Sequence, residues 1–166
     1  MPDFKQYIFI LLIVTNSINI FGQENKIDRN AIYYELGGTG FGPFSINYER
    51  NFSINKKIIF APGVGISLSK YIHVGGTSYI NDYQLFIPLQ VNFIFGEKNH
   101  QFETGYGMPI AIKDNKFGIA GSIYVLRFGY RYQHKQSGFL IRASINPSVI
   151  VNVPTIMGGL SVGYTF

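Results

Sequence analysis

The sequence predicts an all-β fold, specifically an eight-stranded antiparallel up-and-down transmembrane β-barrel behind an N-terminal signal peptide, and three observations predict it. From Asn30 onward the chain runs in segments of about ten residues whose side chains alternate with a period of two, each bounded by turn residues. Ahead of them, Lys5 precedes a short apolar run, Tyr7-Ile-Phe-Ile-Leu-Leu-Ile-Val14. In the last stretch, Leu160, Val162, Tyr164 and Phe166 alternate with Gly159, Ser161, Gly163 and Thr165, a pattern that suits one face in lipid and the other toward a polar interior.

The leading segment has the order of an export signal: a positive charge, an apolar core and a polar stretch, Thr15 to Gly22, before Gln23. It is too short to span a bilayer as a helix, which takes roughly 20 apolar residues. Cleavage after Gly22 is expected, dividing the chain into a signal peptide, 1–22, and a barrel domain, 23–166. A hydrophobic fraction of 46% with 16% aromatics excludes a disordered chain. The chain has no cysteine, so disulfides, thiolate metal sites and a lipidated cysteine are all excluded. The formal net charge of +5 is spread over predicted turns at Lys56, Lys57, Lys98, Lys113, Lys116 and Lys135 and forms no basic stripe, which argues against a nucleic-acid partner.

The eight segments follow in order. Ala31–Gly37 sets Ile32, Tyr34 and Leu36 against Tyr33 and Glu35, and Pro43–Phe52 sets Phe44, Ile46 and Tyr48 against Ser45, Asn47 and Glu49. In Lys57–Leu68, Phe60, Val64 and Ile66 oppose Ala61, Gly63, Gly65 and Ser67; in Tyr83–Phe95, Leu85 to Phe95 on odd positions oppose Gln84, Gln90 and Asn92. His100–Ile112, Phe117–Gln133, Gly138–Val149 and Thr155–Phe166 complete the set. An even strand count puts both ends on the periplasmic side. The outer loops are then Gly38–Gly42, Ser69–Asp82, Lys113–Lys116 and Ile150–Pro154. Pro62, Pro88, Pro109 and Pro147 fall inside strand patterns and remove ladder donors, so bulges or ragged ends are expected there. Phe and Tyr near strand ends, among them Tyr48, Phe95, Tyr130 and Tyr164, fit interface girdles.

On Tyr34-Glu-Leu-Gly-Gly38 leading into Ser45-Ile-Asn-Tyr-Glu-Arg50, and on Gly158-Gly-Leu-Ser-Val-Gly-Tyr-Thr-Phe166 with its terminal aromatic, the chain resembles small OmpA/OmpX-like outer-membrane barrels, especially those of Bacteroidota. The resemblance covers nearly the whole mature chain and is architectural. It implies the fold and a bacterial outer-membrane location, and carries no catalytic residue.

Strand parity puts Glu35, Glu49 and Glu103 in the interior with Arg127, Arg131 and Arg142. Burying ions is costly unless they are paired, so the matched count predicts a lumen ion-pair network that plugs the tube. Glu103 is expected near Arg127, and Arg131 near Arg142. A small-solute pore is the alternative use of the same charges. The loop Ser69–Asp82 carries Tyr71, Ile72, His73, Val74, Tyr79 and Ile80, apolar enough to suggest a surface contact with a protein partner or with lipid. His73, Ser78 and Asp82 share that loop and permit a lipid-A-modifying enzyme as a second alternative. The glycine cluster Gly37-Gly-Thr-Gly-Phe-Gly42 lacks the lysine and helix of a phosphate loop and reads as a tight hairpin. The expectation is therefore a monomeric envelope protein with a structural or surface-interaction role, no catalysis, no cofactor and no metal, in contact with outer-membrane lipid and lipopolysaccharide. A soluble lipocalin-like barrel is the alternative fold; it would turn the apolar parity inward and the charged parity outward.

Overall fold

Each alternating segment is a strand. The computed structural model of the chain describes residues 29–40, 42–71, 82–113, 116–119, 123–134, 136–150 and 153–166. The elements are β1 (Asn30–Gly37), a 3-10 turn (Gly38–Gly40), β2 (Phe44–Arg50), β3 (Phe52–Ser53), β4 (Ile58–Tyr71), β5 (Asp82–Phe95), β6 (His100–Lys113), β7 (Lys116–Ile119), β8 (Ile123–Gln133), β9 (Phe139–Ile150) and β10 (Val153–Thr165). β3 prolongs β2 along β4, and β7 and β8 both pair with β6, so the ten segments make eight staves. Every stave pairs antiparallel with its neighbours in the chain. The last pairs with the first, from Ala31↔Thr165 to Gly37↔Gly159, and the sheet closes into an up-and-down barrel.

Arg29, Phe166, the turns 54–57 and 96–99, and residues 134 and 136–138 gather at one end, the terminal rim. Backbone bonds between adjacent turns knit it together: Asn51 N–H to Arg29 C=O at 2.7 Å, Gly96 to Lys57 at 2.9 Å, Gln133 to Asn99 at 2.8 Å and Thr165 to Gly138 at 2.7 Å. The Gly38–Gly40 turn and the β4–β5, β6–β7 and β9–β10 ends form the opposite, far rim.

The two parities face as the membrane pattern requires and opposite to a lipocalin-like barrel. Ile46, Ile66 and Ile145 are each 62% exposed on the outside, with Leu36, Phe44, Leu89, Phe128, Leu160 and Val162 among their exposed neighbours. The interior holds Glu35, Asn47, Glu49, Gln90, Asn92, Glu103 and the three arginines, all buried. Among the described residues, buried apolar side chains form two small groups, Ala31 with Tyr33 and Leu140, and Ile59 with Ala61 and Ile94, with Phe86, Ala111, Ile123 and Val125 buried apart from them. Most of the buried side chains are polar or charged.

The strands run through all four prolines, and each proline marks a local break in a ladder. Pro62 lies where the pairing of β2–β3 with β4 skips from Glu49↔Gly63 to Phe52↔Phe60. Pro88 lies in the skip from Val64↔Leu89 to Ser67↔Phe86, and Pro147 in that from Val125↔Ser148 to Phe128↔Ile145. At Pro109 the register of β6 with its partner changes, between Gly107↔Val125 and Ile110↔Ile119. A missing N–H removes one ladder bond without ending the strand.

The far rim differs from the sequence expectation. Ser69↔Gln84, Lys70↔Tyr83 and Tyr71↔Asp82 prolong the β4–β5 ladder, so Tyr71 is a strand residue and the connection begins after it. Lys113↔Lys116 and Ile150↔Val153 likewise shorten the other two far-rim connections. An antiparallel ladder extends as long as its partners stay in register, whatever their polarity, and composition alone marks these ends as loops. Ile72, His73, Val74, Tyr79 and Ile80, with Ser78 and the segment 1–22, lie outside the described residues.

Candidate functional site

Parity alone brings the six charged side chains inward; the closure of the barrel brings them together. Glu35 comes from β1, Glu49 from β2, Glu103 from β6, Arg127 and Arg131 from β8 and Arg142 from β9. All six side chains are 0–3% exposed.

The contacts form a branched chain of alternating sign. Arg127 bonds Glu35 through Nη2 and reaches Glu103 Oε1 through Nη1 at 3.2 Å. Glu103 bonds Arg142 Nη2 and lies 3.7 Å from Arg131 Nη1. Glu49 closes a four-membered ring, with Arg131 Nη1 at 2.6 Å on one oxygen and Arg142 Nη1 at 3.5 Å on the other. Glu103 does lie by Arg127, as the spacing suggests, but it also serves two further arginines. Strand tilt and shear decide which charges meet across a lumen, and neither is visible in alternation.

Neutral polar groups complete the filling. Asn92 Nδ2 donates to Glu49 Oε2 at 2.9 Å, Ser161 Oγ to Glu35 Oε1 at 3.2 Å, and Arg131 Nη2 to Gln133 Oε1 at 3.1 Å. The guanidinium carbon of Arg142 sits 4.4 Å from the centre of the Tyr33 ring, a cation–π contact, and Gln90 Nε2 donates to the Tyr33 hydroxyl. The bonds of the arginines run through their terminal nitrogens, while all three Nε atoms make none. Charge pairing therefore carries the network.

One part of the site is invisible to periodicity. The stretch expected as an outer hairpin, Gly38–Gly42, begins as a 3-10 turn whose three residues, Gly38, Thr39 and Gly40, are all buried. Gly37 and Gly38 both hold positive φ, 68° and 72°, which turns the chain inward where other residues would be strained. A Cβ on Gly38 would lie 2.5 Å from the Glu35 carboxyl carbon, so glycine is also needed for space. Thr39 Oγ1 has one O–H to share between Glu35 Oε2 at 3.3 Å and Gln90 Oε1 at 3.1 Å, and it accepts from Arg127 Nη2 at 3.1 Å. The correction is physical: a short loop between strands folds into the tube when buried charges there supply its hydrogen bonds. Its sequence signal is one threonine among four glycines.

His73 lies outside the described residues, and the other two histidines hold separate partners. His100 bonds the Tyr130 hydroxyl, and His134 Nδ1 contacts Ser137 Oγ at 2.9 Å; both stand at the terminal rim. Among the described residues no group of three or more His, Asp or Glu is placed to hold a metal ion.

No protein-family model matches the chain, and neither a curated protein nor a solved structure matches it.

Proposed function

We propose that this chain is a small outer-membrane β-barrel of the OmpA/OmpX-like kind, exported by a signal peptide spanning 1–22 and acting as a monomeric structural or surface-interaction element of the bacterial envelope. The observation that carries the proposal is the inversion of the barrel. A closed sheet with no free edge presents large apolar side chains outward and buries charge inside. That is the arrangement hydrocarbon favours, since closure pairs the edge strands with each other and, among the described residues, the charged side chains of the strand interiors are turned away from the apolar face. In water the same surface would be a single apolar patch far larger than soluble monomers carry.

The ion-paired lumen supports a plugged tube over a pore. Its six charges neutralise one another in contact, and the Gly38–Gly40 turn fills the far-rim side of the network. The barrel therefore supplies a cylinder whose far rim meets lipopolysaccharide and any protein partner, the latter through the β4–β5 connection. Fractionation of cells into inner and outer membranes tests the location, and N-terminal sequencing of the mature protein tests the cleavage. Steady conductance in planar bilayers would replace the plug with the pore. Altered lipid A in cells lacking the protein, seen by mass spectrometry, would replace the structural role with an enzymatic one.

A further inference from the structure

The terminal rim carries a charge that neither the lumen network nor the apolar band uses. Its described side chains include Arg29, Arg50, Lys56, Lys57 and Lys98 against one acid, Glu97. Among the described residues these five cations share one part of the rim. The Asn51–Arg29 backbone bond sets Arg29 beside Arg50, and the Gly96–Lys57 bond sets the Lys56–Lys57 turn against the Glu97–Lys98 turn, so all five lie on the arc from β1 to β6. On the β8–β10 side, the described titratable side chains toward the rim are His134, engaged with Ser137, and the tyrosines Tyr130, Tyr132 and Tyr164, while Lys135 lies outside the described residues.

The arc is held in place. Asn55 Oδ1 accepts from the Lys57 and Ile58 N–H groups at 2.8 and 2.9 Å, and Ser53 Oγ donates to the Asn55 carbonyl at 3.0 Å, fixing the turn that presents both lysines. Arg29, Lys56, Lys57 and Lys98 are exposed, and the Arg50 guanidinium lies over the Phe52 ring at 5.5 Å. An unbroken run of rings begins there: Phe52 meets Phe60 at 6.3 Å and Phe60 meets Phe93 at 5.5 Å between centroids. Cations stand at the edge of an aromatic run on an apolar wall, which is the order of groups along an anionic lipid, phosphate first and acyl chain after.

We infer that this arc is a binding site for an anionic phospholipid in the leaflet at the terminal rim, with Arg50, Lys56, Lys57 and Lys98 on the phosphate and Phe52, Phe60 and Phe93 along the chain. The inference rests on the membrane reading above. A free phosphate would use the cations and leave the rings idle, which is why the lipid is the occupant chosen.

The test uses the full mature chain reconstituted in phosphatidylcholine vesicles with spin-labelled phosphatidylglycerol or spin-labelled phosphatidylcholine as probe. The motionally restricted fraction should favour phosphatidylglycerol several-fold, and the preference should fall as salt screens the arc. Combined Arg50→Gln, Lys56→Gln, Lys57→Gln and Lys98→Gln should abolish it, whereas Lys113→Gln with Lys116→Gln at the far rim should leave it intact. Equal restriction of the two probes by the unmutated barrel, or a preference insensitive to salt and to the fourfold change, overturns the inference while the membrane reading stands. Retention on isolated peptidoglycan without lipid preference also overturns it, in favour of a cell-wall contact. A chain that stays a soluble monomer and never enters the vesicles sinks both.

Discussion

Arg131 and Arg142 stand directly opposite each other in the β8–β9 ladder, two like charges at the spacing of neighbouring strands. Such a pair is destabilising by itself. It persists because Glu49 and Glu103 each contact both guanidinium groups, one acid on either side, and because Tyr33 offers its ring to Arg142. The two acids are thus worth more together than either is to one partner.

Glu103 is the acid with most to lose, since Arg127, Arg131 and Arg142 all lie within contact of it. Glu103→Gln should cost about 3–5 kcal/mol, the range for removing one partner from a buried ion pair. Adding Arg142→Gln should recover part of the loss, because the uncompensated charge leaves with it. A double-mutant cycle on urea unfolding in detergent micelles reads the coupling. Coupling near zero would mean that the charges are solvated rather than paired.

Thr39 ties the inward turn to the network through Glu35, Gln90 and Arg127. Thr39→Val keeps the shape and removes the hydroxyl, leaving buried polar groups unmatched, at a cost of about 1–3 kcal/mol. Thr39→Ser should retain most of the stability. Equal melting temperatures for the valine and serine variants would show that the turn is held by packing alone.

The seam between the first and last staves is sensitive to one methyl group. A Cβ at Gly163 would run into the Ile32 carbonyl oxygen and Tyr33, neither of which can move without disturbing the ladder, whereas one at Gly158 meets nothing within 4 Å. Gly163→Ala should therefore destabilise by about 1–3 kcal/mol. Gly158→Ala should stay within about 0.5 kcal/mol of the unmutated protein. Chemical denaturation of the two variants side by side checks the contrast.

Leu89 and Val162 both face outward, 40% and 49% exposed. An arginine at either should cost about 2–4 kcal/mol in a bilayer if the position lies near the midplane. The measurement is unfolding in lipid vesicles. Variants that are as stable as the parent there, and more soluble in water, would revive the lipocalin-like alternative.

The strands and their inward parity were legible because alternation survives at almost every position, and because charged residues such as Glu49 and Arg142 keep to one parity. Two things were not. The extension of β4 to Tyr71 rests on backbone pairing with Asp82, which Ser69-Lys-Tyr71 does nothing to advertise. The place of Thr39 depends on two glycines at positive φ and on acceptors drawn from β1 and β5, so no local pattern announces it. Partner choice among the six ions belongs to the same class, since Arg127 and Glu35 are 92 residues apart and meet only across the tube.

The β1–β10 ladder also sets a timetable. Glu35 is made early, yet Ser161 lies 126 residues downstream, on the strand that seals β1. Contacts of that separation form late, after the entropy of closing the long loop has been overcome. Until then β1 has an open edge and a carboxylate with part of its shell missing, so the half-built sheet has no resting place in lipid. On the membrane reading proposed above, the first strand would need shelter until the strand that seals it is made.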